Sequence, residues 1–503
     1  MTIKTAGLKT QLTYGFGAVA YGIKDNGFGY FLLLFYGTVV GLEPGLVGTA
    51  IFIALIFDAI SDPIIGYWSD NTRSRWGRRH PFMYAAALPV AISYWLLWNP
   101  PDWGQTGLFV YLLGLAVLIR TFITLYETPS SALMPELSTD YAERTTIQAW
   151  RQFFGWSGGN FMSVLMFGLL LVPTAQYSVG TLNREGYETY GVISSILIFM
   201  AILVSALGTH SRIPRLSVPP KRDHRGLTAI FKELFQTLAE RSFLALFAAS
   251  LFGAMATGLA GAMSYILLTY FWGLSSYQIF IYTSLVFLSA GIGLGVAPWF
   301  VKRWGKKAAA IRLGALAVSV APAPVLLRLL GLMPDNGDPI LFPLLAIINT
   351  IDLGLIIACQ AVLYSMVADL VEQNELRTGK RSEGVFFAAI TFIRKTNQGL
   401  GAFAAGIILS LIAFPQGAAP DQVSADTIRS LGLWHAPSLL ILWSLMLFCV
   451  SRYQLSKDDH ESNLQKLRQA LAEGESSPNT GELDMNAIRA EAKRQADQRS
   501  ATS

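Results

Sequence analysis

Long apolar stretches dominate this sequence, and twelve of them are close to the length of a membrane-spanning helix. A helix that crosses a bilayer needs about 20 mostly apolar residues. Lipid tolerates only helices or closed barrels, and these stretches are too continuously apolar for barrel strands, which alternate apolar and polar residues. Only 14% of the residues are charged, against about 25% in soluble proteins. The sequence therefore predicts an all-α integral membrane protein with twelve transmembrane helices.

A polar segment containing Pro214, Pro219 and Pro220 leaves six apolar stretches on each side. We therefore predict an N-terminal six-helix bundle at 1–210, a cytoplasmic interdomain linker at 211–242, a C-terminal six-helix bundle at 243–452 and a polar cytoplasmic tail at 453–503. The halves also echo one another, since Trp76-Gly77-Arg78-Arg79 after the second stretch matches Trp304-Gly305-Lys306-Lys307 after the eighth. Repeated halves are typical of transporters whose two bundles rock about a central site.

Basic residues are concentrated in alternate loops. The loops after the even-numbered stretches hold most of the Lys and Arg residues, whereas the opposite loops offer only Arg184 and Arg429. By the positive-inside rule, we expect a multi-pass protein of the cell (inner) membrane with both termini in the cytoplasm. A nucleic-acid partner is not expected, because this charge flanks membrane spans. Lys24 and Asp25 interrupt the first stretch, which favours a retained helix over a signal peptide.

Two acidic residues, Asp58 and Asp62, stand four apart in the second apolar stretch. This spacing places both carboxylates on one face of a helix. Two carboxylates this close in a low dielectric cannot both stay ionised unless a cation lies between them or one binds a proton. The pair therefore predicts a cation site, with Na+ as the candidate metal and with Ser61, Thr124 and Glu127 as candidate further oxygen ligands. The alternative is a structural salt bridge to Lys395 or Arg151.

Other charged residues also interrupt the apolar stretches, where each costs at least ~2.5 kcal/mol at mid-membrane. Asp25 is a candidate contact for a hydroxylated substrate, with Lys24 and Arg151 as candidate partners. A carboxylate accepts and a guanidinium donates several hydrogen bonds, which suits sugar hydroxyls. A simple ion pair of Asp25 with Lys24 is the alternative. Arg120 and Asp352 are expected in packing or in pairs between the bundles.

The loop after the second stretch begins at Asp70 and continues with several arginines, among them Arg73 and Arg78. On charge alone it is a cytoplasmic anchor. The position of Asp70 beside these arginines also allows an ionic latch between two conformations, and the matching loop after the eighth stretch favours that reading. We therefore predict a gating role for Asp70, Arg73 and Arg78.

One motif of this chain resembles an enzyme active site, but the surrounding sequence does not provide the structure that such a site needs. Gly155-Trp-Ser157-Gly-Gly159 matches a hydrolase nucleophile pattern, but the strand and the His base that such a site needs are missing. The histidines do not have metal-ligand spacing. We expect no enzyme and no cofactor beyond a coupling cation. The glycine pairs Gly155 with Gly159, Gly37 with Gly41 and Gly291 with Gly295 are instead predicted to be small-residue contacts between helices.

Four motifs closely resemble those of the glycoside-pentoside-hexuronide:cation symporters, the melibiose-permease branch of the major facilitator superfamily. They are Ile56-Phe-Asp58-Ala-Ile-Ser-Asp62-Pro-Ile-Ile-Gly66, Thr72-Arg-Ser-Arg-Trp-Gly77, Tyr126-Glu127-Thr-Pro129 and Lys395. The resemblance implies two six-helix bundles and symport coupled to Na+, Li+ or H+. It also implies cation binding by Asp58, Asp62, Ser61 and Thr124, and substrate binding by Asp25, Glu127, Arg151, Lys24, Thr391 and Lys395. Two positions differ from melibiose permease, which has Asn at the position of Ser61 and a stacking Trp at the position of Ser131.

Together these patterns predict a secondary active transporter that couples a cation to a sugar or glycoside by alternating access. The alternative keeps the fold and moves a lipid-like or other amphipathic solute. The sequence shows no nucleophile-base pair, no set of metal ligands and no cofactor motif, which argues against an enzyme or receptor. The expected partners are a small-molecule substrate and membrane lipid, and we expect a monomer.

Overall fold

A computed structural model of the chain describes residues 6–138, 140–215, 241–378, 395 and 399–452, and all regular structure in these residues is helical. The helices before residue 216 are α1 (Leu8–Phe16), α2 (Ala18–Asn26), α3 (Pro44–Asn71), α4 (His80–Leu97), α5 (Gln105–Leu137), α6 (Tyr141–Leu165) and α7 (Arg184–His210). Those after residue 240 are α8 (Arg241–Ile266), α9 (Ser276–Ser284), α10 (Val286–Val320), α11 (Ala323–Leu329), α12 (Leu341–Thr378), α13 (Gly399–Leu411) and α14 (Ala425–Ser451).

Eight helical stretches among the described residues are long and apolar enough to cross a membrane. The all-helical membrane architecture is therefore confirmed. The count of twelve spans stays a prediction, because residues 379–394 and 396–398 lie outside the described residues. The predicted linker and tail lie outside them as well over 216–240 and 453–503.

The first span is a chain of short segments. After α2, wider π-type turns at Gly27–Phe31 and Phe35–Val40 flank a short helical piece, Leu32–Leu34. The span ends at Gly41, whose φ of 85° is left-handed. A residue without Cβ adopts that conformation at little cost. Gly41 therefore terminates a helix, and its predicted role in helix–helix contact is wrong.

Close glycine contacts hold α2 against α6. A Cβ added to Gly22 would lie 2.0 Å from the carbonyl oxygen of Gly155, and one added to Gly159 would lie 2.5 Å from that of Gly22. The small-residue contact predicted for Gly155 and Gly159 is therefore confirmed. For Gly291 and Gly295 the prediction is wrong, since both are exposed and a Cβ at either would meet no described atom within 4 Å.

In the C-terminal half, α10 is continuous along the chain but bends sharply at Gly305. This residue has φ 75° and ψ 167°, so two helices join there. The break lies between the predicted eighth and ninth spans, within the Trp304-Gly305-Lys306-Lys307 repeat motif. The most extensive packing in this half is that of α10 against α12, followed by α8 against α14.

Aromatic side chains form much of the described contact between the halves. Tyr265 at the end of α8 stacks on Phe31 with ring centroids 5.1 Å apart, and it lies 4.4 Å from the ring of Phe167. Phe52 in α3 stacks on Phe403 in α13 at 4.9 Å. These residues lie towards the ends of their helices that are remote from His210, after which the predicted linker begins. These aromatic contacts between the halves therefore lie at the end opposite to the linker.

Candidate cation and substrate site

Helices α3 and α5 carry four charged residues of the membrane interior, Asp58, Asp62, Arg120 and Glu127, and they pack extensively against each other. Asp58 and Asp62 share one face of α3. Arg120, Thr124 and Glu127 follow a spacing of four and three residues along α5, so they also share one face. The packing of the two helices brings these faces together.

A proline follows each acidic region. Pro63 comes directly after Asp62 in α3, and Pro129 lies two residues after Glu127 in α5. Proline cannot donate the backbone hydrogen bond to the residue four positions earlier. Both helices are therefore locally weakened beside the acidic side chains.

The two carboxylates of α3 share their hydrogen-bond donors. The hydroxyl oxygen of Thr124 lies 2.9 Å from Oδ1 of Asp58 and 2.8 Å from Oδ1 of Asp62. The ammonium of Lys395 lies 2.7 Å from Oδ2 of Asp62 and 3.0 Å from Oδ1 of Asp58. The salt bridge to Lys395 that was the alternative to a cation site is thus present in the structure. Arg151 binds elsewhere.

Arg120 is the member of this cluster whose role the sequence did not indicate. Its Nη1 donates to Oδ2 of Asp58 at 3.1 Å, and its guanidinium lies 5.2 Å from the ring centre of Phe28. Arg120 was expected either in packing or in a pair between the bundles; it packs on Phe28, and its ionic partner belongs to the same half. The sequence feature that indicates its membership of the cluster is its spacing from Thr124 and Glu127, which places all three side chains on one face of α5.

The remaining predicted cation ligand, Ser61, bonds to its own helix. Its hydroxyl donates to the backbone carbonyl of Asp58 at 3.2 Å. Thr391, a predicted substrate residue, lies outside the described residues. Among the described residues, no group of three or more His, Cys, Asp or Glu side chains is placed to hold a metal ion. The Na+ site therefore stays a prediction.

The substrate group predicted around Asp25 divides into two parts. Lys24 and Asp25 form an ion pair with each other. Arg151 donates from Nε to the hydroxyl of Tyr21 at 3.2 Å, from Nη1 to that of Tyr14 at 3.4 Å, and from Nη2 to Ser131. Sequence patterns had not indicated the two tyrosines. An aromatic hydroxyl shell around a guanidinium keeps the charge buried while it stays hydrogen-bonded.

Glu127 links the two groups electrostatically. It interacts with the charges of Lys24, Arg151 and Lys395. Counted together, the two groups contain four carboxylates, Asp25, Asp58, Asp62 and Glu127, and four basic side chains, Lys24, Arg120, Arg151 and Lys395. The cluster is therefore neutral overall, which lowers the cost of holding so many charges within a membrane domain.

The predicted gating residues lie at the far end of α3. Arg78 and Arg79 each place an Nη2 2.6 Å from Oε1 of Glu136 in α5. Asp70 is more exposed and lies 3.4 Å from Nη1 of Arg79. Arg73 is exposed. Glu136, which the loop sequence did not reveal, is thus the main acidic partner of this loop.

A family described as "MFS/sugar transport protein" matches residues 13–457 of the chain. The chain belongs to this family. It is similar to the inner membrane symporter YicJ of Escherichia coli, with 25% identity over 94% of this chain and 97% of the relative. It is also similar to sodium-dependent lysophosphatidylcholine symporter 1 of Mus musculus, with 25% identity over 94% of this chain and 90% of the relative.

A solved structure shares the fold. A bacterial homolog of the human lysosomal transporter Spinster, in an inward-facing conformation, superposes with a TM-score of 0.62 at 13% identity, over 91% of this chain and 97% of the other. The predicted major facilitator fold and family resemblance are confirmed. The protein is a multi-pass membrane transporter of small-molecule substrates and not an enzyme.

Proposed function

We propose that this protein is a cation-coupled symporter that moves a sugar or glycoside by alternating access. The observation that carries the proposal is the ion pair between Lys395 in the C-terminal half and Asp62 in the N-terminal half, with an N–O distance of 2.7 Å. A proton or metal cation that binds Asp62 competes with this ammonium. Cation binding therefore acts directly on a contact between the two halves.

The size of this effect suits a transport switch. Leaving one member of a buried ion pair without its partner costs about 3–5 kcal/mol. A difference of about 5.5 kcal/mol moves a two-state equilibrium from 1:99 to 99:1. Loss of the contact between Lys395 and Asp62 therefore supplies part of the free energy needed to favour one orientation of the halves, while Lys395 keeps its contact with Asp58.

The second group supplies the substrate contacts in this proposal. The Lys24–Asp25 pair and Glu127 offer carboxylate acceptors, and Arg151 offers guanidinium donors held by tyrosine hydroxyls. Alternating acceptors and donors suit a solute with several hydroxyls. Because Glu127 interacts with Lys24, Arg151 and Lys395, occupation of one group changes the electrostatics of the other.

A lipid-like solute is the second candidate. The lysophosphatidylcholine symporter of Mus musculus shares 25% identity with this chain, the same value as YicJ. Arg151 lies beside the small side chain of Ser131, which leaves more room at the guanidinium than a Trp would. A phosphate group would bind such a guanidinium through two parallel hydrogen bonds.

Uptake by the full chain in proteoliposomes separates these candidates. Labelled glycosides and a labelled lysophospholipid are offered under an inward Na+ gradient, an inward H+ gradient, or none. We expect glycoside accumulation that needs a gradient and is lost in Arg151→Ala. The matched control is Arg184→Ala, which removes a half-buried guanidinium bound to Asp102 far from the site and should transport normally. Accumulation of the lysophospholipid alone would overturn the sugar assignment.

We further propose that the protein is an inner-membrane monomer with both termini in the cytoplasm. The positive-inside charge distribution supports this orientation. Alkaline phosphatase fused after residue 452 tests the orientation. The fusion should stay inactive, whereas a fusion in the loop that contains Arg184 should be active. The reverse pattern would overturn the orientation.

A further inference from the structure

All four carboxylate oxygens of Asp58 and Asp62 already face hydrogen-bond donors. Oδ1 of Asp58 faces Thr124 and Lys395, Oδ2 of Asp58 faces Arg120, Oδ1 of Asp62 faces Thr124 and Lys395, and Oδ2 of Asp62 faces Lys395. Hard cations such as Na+ need several oxygen ligands that are not committed to other positive charges. At this site the two positive charges of Arg120 and Lys395 balance the two negative charges of Asp58 and Asp62. The residues present therefore do not fit a sodium ion.

Arg120 differs from Lys395 in a way that matters for the transport cycle. Lys395 belongs to the other half, so a movement of the halves can withdraw it. Arg120 and Asp58 both lie in the N-terminal half on helices that pack together, and their side chains are 1% and 2% exposed. A guanidinium is not deprotonated in proteins. Asp58 therefore keeps its counter-ion in either orientation, and a bound sodium ion would meet a fixed positive charge.

Asp62 is then the carboxylate that loses its partner when Lys395 withdraws. Its side chain is 26% exposed, against 2% for Asp58, so it is the more accessible of the two carboxylates. The charged groups that act on Asp62 are Asp58 on its own helix and Lys395 from the C-terminal half. Arg120 on α5 and Lys24 from the first span act on Asp58, and Glu127 on α5 acts on Lys395. With Asp58 balanced by Arg120, a single proton neutralises what remains.

The hydroxyl of Thr124 lies between the two carboxylates. It lies within 2.9 Å of one oxygen from each carboxylate, but a hydroxyl carries one proton and donates one hydrogen bond. If it donates to Asp58, its second contact is a hydrogen bond only when Asp62 carries a proton and donates to the hydroxyl oxygen. The geometry thus provides an acceptor for a protonated Asp62.

We propose that Arg120 makes this site select a proton instead of sodium, with Asp62 as the residue that carries it and Thr124 as its acceptor. This inference rests on the proposed function, whose coupling ion it specifies. The proton comes from water on one side of the membrane, replaces the hydrogen bonds of Lys395 on Asp62, and returns to water on the other side.

Ion selectivity is first measured on the purified full-length protein without substrate. Thermal unfolding is followed in NaCl, LiCl and choline chloride at equal ionic strength. The wild type should unfold at the same temperature in all three. Arg120→Gln removes the fixed charge and should gain a Na+-dependent rise of at least about 2 °C. Arg120→Lys keeps a positive charge and should stay insensitive to Na+.

A Na+-dependent rise in the wild type would overturn the inference, as would a folded Arg120→Gln variant that ignores Na+. If Arg120→Gln does not fold, the wild type and Arg120→Lys still decide the point. Uptake provides the second test, since an inward H+ gradient should drive accumulation and a Na+ gradient at equal pH should not. Uptake driven only by Na+ refutes proton selectivity alone, whereas uptake that ignores every gradient refutes the proposed symport. The unfolding measurement needs no substrate, so it separates the two failures.

Discussion

The ammonium of Lys395 lies 2.7 Å from Oδ2 of Asp62, and this ion pair joins the two halves of the transporter across its charged cluster. The same ammonium lies 3.0 Å from Oδ1 of Asp58. A cation supplied by one half and two carboxylates supplied by the other make an arrangement that a proton or an ion can open. Coupling between ion binding and the orientation of the halves follows from this contact.

Lys395→Gln tests that coupling. Removing the ammonium leaves Asp62 without its partner, so we expect gradient-driven accumulation to fall at least about tenfold and the free energy of unfolding to fall by about 3–5 kcal/mol. Combining it with Asp62→Asn should recover much of the stability, because the uncompensated charge is then gone. Proteoliposome uptake and thermal unfolding measure both effects. Unchanged accumulation in Lys395→Gln would contradict the coupling role.

The two carboxylates should respond differently to neutralisation. Asp58→Asn leaves Arg120 buried without its counter-ion, whereas Asp62→Asn leaves Lys395 still paired with Asp58. We therefore expect Asp58→Asn to lose about 3–5 kcal/mol of unfolding free energy and Asp62→Asn clearly less. Both should abolish gradient-driven accumulation while some substrate binding remains. Thermal unfolding and equilibrium binding of the transported solute check this, and equal destabilisation by the two variants would count against the fixed pair of Arg120.

The composition of this cluster shows what the sequence could predict. The four-residue spacing of Asp58 and Asp62 put both on one face of α3, and Thr124 and Glu127 were recognisable as polar residues in an apolar stretch. Arg120 was recognisable as charged, but its partner was not. The contact between α3 and α5 comes from packing, and local periodicity does not determine which helices become neighbours.

The loop after α3 illustrates the same limit. Its arginines and Asp70 are neighbours in sequence, so they suggested a latch among themselves. In the structure Arg78 and Arg79 both bind Glu136, which lies 57 residues or more along the chain. The glycine pairs show the same limit of local sequence. Spacing alone favours a helix contact at Gly291 with Gly295 as strongly as at Gly155 with Gly159. Of these two pairs, only Gly155 with Gly159 lies close to another helix.

Glu136 should therefore matter more to this loop than Asp70. Its Oε1 accepts from both arginines at 2.6 Å, whereas the half-exposed Asp70 makes one contact of 3.4 Å. We expect Glu136→Gln to speed tryptic cleavage after the exposed Arg73 several-fold and to lower the unfolding temperature. Asp70→Asn is the matched control and should change either by little, as most exposed ion pairs contribute about 0–1 kcal/mol. Faster cleavage in Asp70→Asn than in Glu136→Gln would restore the latch at Asp70.

The glycine contact between α2 and α6 can be tested by adding single methyl groups. A Cβ at Gly22 would lie 2.0 Å from the backbone oxygen of Gly155, whereas one at Gly155 would first meet the side chain of Tyr21 at 3.0 Å. Backbone cannot turn aside as a side chain can, so Gly22→Ala must separate the helices. We expect it to cost about 3 kcal/mol or more, and Gly155→Ala less.

Gly114 in α5 provides the control, because a Cβ there would meet nothing within 4 Å. Alanine is the better helix former, so Gly114→Ala should be neutral or stabilising by about 0.5–1 kcal/mol. Unfolding temperatures should therefore fall in the order Gly114→Ala, Gly155→Ala, Gly22→Ala. Lys24 and Asp25 follow Gly22 within one turn, so Gly22→Ala should also weaken binding of the transported solute. A Gly22→Ala protein with the stability and affinity of Gly114→Ala would mean that α2 and α6 are not in close contact.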